Sequence, residues 1–292
     1  MGIIIKLNES FGDPTLPQLR RDDFLNGDND GVLFLGDFSN SFSWRGGTNT
    51  PTNGTVLYDI AEKNDATLAL FTNDGENIAG GGLDFAPDGV SPYNAAKGVV
   101  ELPAAVSNTI WNGGGANEHN YAITMYAKFL DASWWDTDSS IEQFMGSNVA
   151  YQGGDAWILA ALQSGSNGDL SIRRDTGAGT DQQSQSSATG GRFRDNVSDA
   201  ITQLVVHTYG DTLSWRYKTA TTTVSGGGAA LQTITHDYSS SKLHFGHSDL
   251  FATSPRALKR LYRMAVEDLT TSGRDPIAVA DADWDRVISN FS

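Results

Sequence analysis

Residues 26–37, NGDNDGVLFLGD, place oxygen ligands at the spacing of a calcium loop. Asn26, Asp28, Asp30 and Asp37 stand at its first, third, fifth and twelfth positions, and Gly31 closes the turn. Three features weaken that reading: the first ligand is a neutral Asn, Asp37 is shorter than the usual bidentate Glu, and VLFLGDF is strand-like. Asn, Asp and Gly are also the residues that turns prefer. The segment is therefore read as an Asx-rich turn entering a strand. The alternative is a Ca2+ ion clipped there by Asp28, Asp30 and a backbone carbonyl.

Seven tryptophans form the second signal. Trp157 and Trp215 sit inside alternating segments and read as core, and Trp284 lies on the apolar stripe of a helix. Trp44, Trp111, Trp134 and Trp135 fall in polar, Gly- or Asp-rich stretches. Aromatic faces beside Asp and Asn are suited to stacking on sugar rings. Subunit interfaces use the same residues. These four are the candidate glycan or interface positions.

Catalytic patterns are missing. No G-x-S-x-G elbow or phosphate-binding Walker loop occurs. No Glu has a carboxylate partner two residues on, the arrangement that would aim a glycosidase pair from one strand. His244 and His247 are three apart, which on a strand turns them to opposite faces, so they read as ordinary surface or loop histidines. No catalytic residue is assigned and no enzymatic activity is expected. A polysaccharide hydrolase or lyase would have to assemble its site from Glu118, Glu142, Asp131, His236 and Tyr126.

Composition narrows the partners. The chain has 292 residues, 39% of them hydrophobic, enough to bury a sizeable core. A net charge of -15 repels phosphate, so neither nucleic acid nor anionic membrane is an expected partner. Mean hydropathy is -0.33 and no apolar run is long enough for a transmembrane helix. The absence of cysteine removes disulfides and thiolate metal sites.

Short alternating segments separated by 32 glycines argue for an all-β sandwich with long loops. In YAITMYAKF, Tyr121, Ile123, Met125, Ala127 and Phe129 share one face. ITQLVVHTY and TLSWRYK flank Gly210-Asp211, a two-residue connection suited to a hairpin. A second hairpin joins AWILAALQ to DLSIRRD through SGSNG. Further strands are expected at 3–7, 32–38, 55–60, 66–71, 98–102 and 242–246. Segment 256–269 fits both a helix and a strand. The alternation of Tyr262, Met264 and Val266, with Arg263 and Glu267 opposite, favours the strand. A C-terminal helix over about 276–289 is capped by Asp275, begins at Pro276, and should leave Asp281, Asp283 and Asp285 in solvent. The polar stretch 176–191 reads as a long loop. One domain is expected over 1–292, with 1–54 as an N-terminal arm and first strands and 55–292 as the core.

The segments NYAITMYAKF, ITQLVVHTYGDTLSWRYK, LHFGHSD and RLYRMAVEDLTTSGRDPIAVADADW resemble, in order, the concanavalin A-like (laminin-G-like) jelly roll. The opening MGIIIKLNESF and the Gly/Ser/Thr/Asn texture resemble structural proteins of tailed-bacteriophage virions. That resemblance implies a virion location as a decoration, tail, baseplate or receptor-binding component. It also implies other virion proteins as partners, a homo-oligomer, and loops that bind a host surface glycan. A carbohydrate-binding module is the alternative. With the turn reading of 26–37, the melting temperature should stay unchanged on adding calcium or a chelator, and a calcium-dependent rise would establish the clip.

Overall fold

Period-two alternation makes strands, and each strand must bury its apolar face against another layer. The computed structural model describes residues 22–25, 31–46, 50–70, 77–85, 98–112, 119–131, 141–147, 158–163, 168–175, 181–185, 192–232, 241–247 and 258–292. In chain order the elements begin with β1 (Val32–Asp37), β2 (Val56–Leu57), β3 (Ala66–Leu70), β4 (Asn77–Ala79), β5 (Gly82–Asp84), β6 (Gly98–Glu101) and α1 (Ala104–Asn112). Next come β7 (Tyr121–Phe129), β8 (Ile141–Ser147), β9 (Ile158–Gln163), β10 (Asp169–Asp175), β11 (Asp181–Gln185) and α2 (Phe193–Val197). The chain continues with β12 (Ile201–His207), β13 (Thr212–Lys218), β14 (Thr223–Ala230), β15 (Leu243–Gly246) and β16 (Leu258–Asp268). Two helices, α3 (Leu269–Ser272) and α4 (Pro276–Val287), close it.

The strands form two eight-stranded sheets, and every pairing in them is antiparallel. One runs β14-β13-β12-β7-β16-β5-β4, with β1 also pairing along β16, and the other runs β11-β10-β9-β8-β15-β6-β3-β2. The chain crosses between sheets at β1–β2, β3–β4, β5–β6, β6–β7, β7–β8, β11–β12, β14–β15 and β15–β16, so many neighbours in sequence lie in opposite sheets. One apolar cluster fills the space between: Met125, Met264 and Val266 from the first sheet meet Phe144, Leu170 and Phe245 from the second. Phe129 meets Phe144 edge-on at 5.3 Å, Phe193 meets Tyr217 at 5.0 Å, and Trp215 stacks on Tyr217 at 6.0 Å. Such pairs add directional preference to the area they bury.

The β12–β13 hairpin turns at Gly210-Asp211, with φ of 70° and 55°, the two left-handed residues that such a tight turn requires. β16 is a strand, as its alternation indicated, but one residue breaks the pattern. Leu261 pairs with Ala127 and Arg263 with Tyr126, leaving Tyr262 as an extra residue in a bulge. The bulge turns Tyr262 to the outer face, where it packs with Tyr126, Trp284, Val287 and Phe291 beneath α4. α4 begins at Pro276, and the Asp275 carboxylate accepts from the N–H groups of Ile277 and Ala278.

Several expectations change. The polar stretch 176–191 contains strand β11, paired along β10. The glycine run 226–228 lies within β14, because the Trp215 indole crosses Gly226 where a side chain would stand. Segment 55–60 forms strand only at Val56–Leu57, and the proposed strand 3–7 lies outside the described residues.

Asp283 is the largest correction. It was expected in solvent, yet it is 3% exposed and bound to Arg263. The Arg263 guanidinium is buried on the outer face of the first sheet. Nε and Nη2 donate to Asp283 at 3.0 and 2.9 Å, Nη1 and Nη2 to Asp22 at 2.9 and 3.0 Å, and Nη1 to Asp37 at 2.9 Å. Tyr126 donates its hydroxyl to Asp283, and Arg286 also reaches Asp22 and Asp283. Arg263→Ala would leave three buried carboxylates short of their main counter-charge. Urea unfolding should show a loss of about 3–5 kcal/mol; a loss below about 1 kcal/mol would show that the cluster contributes little to folding.

Candidate functional site

The segment after β1 is folded by short polar side chains. Asn40 Oδ1 accepts from Phe42 N–H at 2.9 Å, and Trp44 N–H donates to the Asn40 carbonyl at 2.8 Å. Ser43 donates Oγ–H to the Tyr58 carbonyl at 2.6 Å, and Tyr58 N–H donates to the Ser43 carbonyl at 2.9 Å. These bonds turn Trp44 inward against Phe38, with ring centroids 5.6 Å apart, and leave Arg45 exposed and Phe42 partly buried.

The facing loop, Asp59 to Asp65, is wound around one carboxylate. Asp59 Oδ1 accepts from Leu35 and Ala61 N–H, both at 2.9 Å, and Oδ2 accepts from Lys63 at 2.8 Å and Asn64 at 2.9 Å. Asp59 N–H in turn donates to Asp65 Oδ1 at 2.9 Å. Burial raises the Asp59 pKa, and the four N–H donors oppose that shift only in part. Winding the loop this tightly holds Glu62 at φ 60°, a left-handed conformation uncommon outside glycine.

Between the two segments lies a pocket of 270 Å³ lined by Phe42, Arg45, Tyr58, Asp59, Glu62, Lys63 and Asp65. The Arg45 guanidinium carbon sits 3.6 Å from the Tyr58 ring centroid and 5.1 Å from that of Phe42. Arg45 Nε donates to the Phe42 carbonyl at 3.3 Å, which holds the plane in place. The pocket thus combines an aromatic wall, cationic donors and carboxylate acceptors on hydrogen-bonded loops. That combination suits binding of a small polyhydroxylated ligand.

Sequence reasoning placed its candidates elsewhere. Trp44 and Trp111 are 5% and 1% exposed, so both are core side chains and neither offers a face to a ligand. Burial wins because Trp44 has Phe38 to pack on and Trp111 lies on the inner side of α1, an element the sequence pattern did not reveal. Trp134 and Trp135 lie outside the described residues, as do Asn26, Asp28 and Asp30. Asp37 ends β1 and gives its carboxylate to Arg263 and Ser39, which removes it from any calcium shell at 26–37. Among the described residues no group of three His, Asp or Glu could hold a metal ion.

The hydrolase set does not assemble among the described residues. Tyr126 is buried under α4, Asp131 is exposed and accepts from Ser198 Oγ, Glu142 falls in β8, and Glu118 and His236 lie outside. The pocket residues Phe42, Arg45 and Tyr58 were missed. The available signal was the Asx-rich run DIAEKND, which marks a side-chain-organised turn.

No protein-family model matches the chain, and no curated protein sequence matches it. Its fold is similar to that of the receptor binding domain of botulinum neurotoxin C/D mosaic serotype. The TM-score is 0.50 at 9% identity, over 86% of this chain and 51% of that one. A mutant of HCR/D gives a TM-score of 0.52 at 8% identity, over 87% and 51% of the respective chains. This chain therefore spans about half the length of these structures, and identities this low show a shared fold alone. A sialidase of Trypanosoma rangeli matches more weakly, with a TM-score of 0.43 at 12% identity over 82% of this chain and 30% of that one.

His244 and His247 are structural. His244 and His247, expected at the surface, are 3% and 1% exposed; His244 Nε2 lies 3.2 Å from Gln143 Oε1 and His247 Nε2 lies 2.7 Å from the Leu258 carbonyl. Burial pushes the His244 pKa down to about 3 and that of His207 down to about 4. The unfolded chain takes up protons at the usual value of 6.5 that the fold refuses. Stability from the neutral imidazoles is therefore complete above pH 6.5 and is lost as pH falls toward these values. The melting temperature should decline from pH 6.5 down to about 4, and His244→Gln should flatten that decline.

Proposed function

We propose that this protein is a non-enzymatic binding protein whose ligand is a saccharide. The observation that carries the reading is the Phe42–Arg45–Tyr58 pocket, where a guanidinium lies over an aromatic ring, 3.6 Å from its centroid, beside several carboxylates. Sugars present hydroxyls that both donate and accept, together with a C–H face that favours aromatic walls. The pocket lines up Arg45 and Lys63 as donors and acidic side chains as acceptors, with the Phe42 ring beside them. Its loops are ordered by side-chain hydrogen bonds, which lowers the entropy cost of binding. The similar botulinum neurotoxin C/D domain is named for receptor binding, and that agrees with a binding role for this fold here. The virion location and virion partners rest on the sequence resemblance alone.

A glycan array probed with the full chain tests the reading. Binding should weaken by about tenfold or more in Arg45→Ala and in Tyr58→Ala, while both variants melt as the parent does. A parent chain that binds no glycan would remove the proposal.

A further inference from the structure

Resting on the saccharide reading, we propose that Tyr58 is a positioning residue: it acts through Arg45, whose terminal amino groups are what touch the sugar. The Arg45 guanidinium carbon lies 3.6 Å from the Tyr58 ring centroid, which is van der Waals contact. Arg45 therefore covers that face of the ring and closes it to the C–H face of a sugar. What the ring supplies instead is a seat. Cation–π attraction holds an exposed side chain that would otherwise range over many rotamers. A second restraint acts at Nε, which donates to the Phe42 carbonyl at 3.3 Å. With the carbon seated and Nε engaged, the donors left for a ligand are those of the two terminal amino groups. They form a fork that takes two neighbouring oxygens at once, as adjacent ring hydroxyls present them.

Tyr58 suits this task because it is itself anchored. Its N–H donates to the Ser43 carbonyl at 2.9 Å, and its carbonyl accepts from Ser43 Oγ at 2.6 Å. The same Oγ accepts from the Asp37 N–H at 3.1 Å, and the Asp37 carboxylate is held by Arg263. Ser43 is 0% exposed and stands two residues before Arg45. One buried hydroxyl thus joins the end of β1, the segment that carries Arg45 and the residue on which Arg45 rests. The seat and the side chain placed on it share one fixed reference, which lowers the cost of presenting the fork. The exposed Arg45 and Lys63 balance the exposed Glu62 and Asp65 in number, so the direction of the Arg45 donors matters more than net charge. A lysine at position 45 would keep the charge and lose the fork.

Two NMR measurements on the full chain test this, and the first needs no ligand. The Tyr58 ring current should move the Arg45 δ-methylene protons upfield. Tyr58→Phe should keep that shift and Tyr58→Leu should abolish it. The second is titration with methyl glucoside, methyl galactoside and methyl mannoside, of which the parent should bind at least one. Affinity should stay within about twofold in Tyr58→Phe and fall about tenfold or more in Tyr58→Leu and in Arg45→Lys. Arg45→Lys changes an exposed position, so it tests the fork even where Tyr58→Leu fails to fold. A Tyr58→Phe loss of tenfold would make the hydroxyl a direct contact and overturn the positioning role. So would an unshifted Arg45 signal in the parent, or parent-like binding by Tyr58→Leu. Parent-like binding by Arg45→Lys would overturn the fork. A shifted Arg45 signal with no probe bound by the parent would overturn the saccharide reading and uphold the seating of Arg45 on Tyr58.

Discussion

The buried guanidinium of Arg263 organises the outer layer of this protein. Arg263 is 1% exposed and satisfied by carboxylates from three separate places: Asp22 ahead of β1, Asp37 at the end of β1, and Asp283 on α4. A guanidinium has five N–H donors in a fixed plane, so its partners must arrive from set directions. Desolvating it is costly unless every donor is met. That requirement sets where α4 lies on the sheet and where β1 must end. Tyr126, Gln203 and Arg216 extend the same bonding across the sheet to Asp281.

The candidate site depends on this arrangement. Once Asp37 is committed to Arg263, the chain leaving β1 is directed into the turn that buries Trp44 and presents Phe42 and Arg45. A second buried carboxylate, Asp59, shapes the opposite wall by collecting four backbone N–H groups, one of them from β1 itself. Both walls are thus fixed by acidic residues whose charge is internally satisfied. The exposed acidic residues Glu62 and Asp65 and the exposed Arg45 and Lys63 then line a pocket that can serve a ligand.

Local patterns were legible in the sequence wherever their cause was local. The alternation of β7 and β13, the Gly210-Asp211 turn and the Asp275 cap all depend on residues a few positions apart. Legibility failed where a distant partner decided. β14 tolerates glycine because the Trp215 ring occupies the space above Gly226, and a bulge against β7 reverses the face of Tyr262. Asp283 looked solvated on its own helix, and Trp44 looked exposed in a polar stretch. Each is buried because another segment covers it.

The all-β sandwich, its main hairpin and its terminal helix were determined by the sequence itself, because apolar periodicity and turn chemistry act over a few residues. Which polar groups are buried, and which aromatic faces remain outside, was decided only by tertiary structure. Arg263 and Asp22 are 241 positions apart, and no local pattern announces that pair. Arg45 and Tyr58 likewise meet only because β1 and the Asp59 loop are brought together by bonds to side chains. The scaffold follows from short-range preference, whereas the site follows from the need to satisfy buried charge.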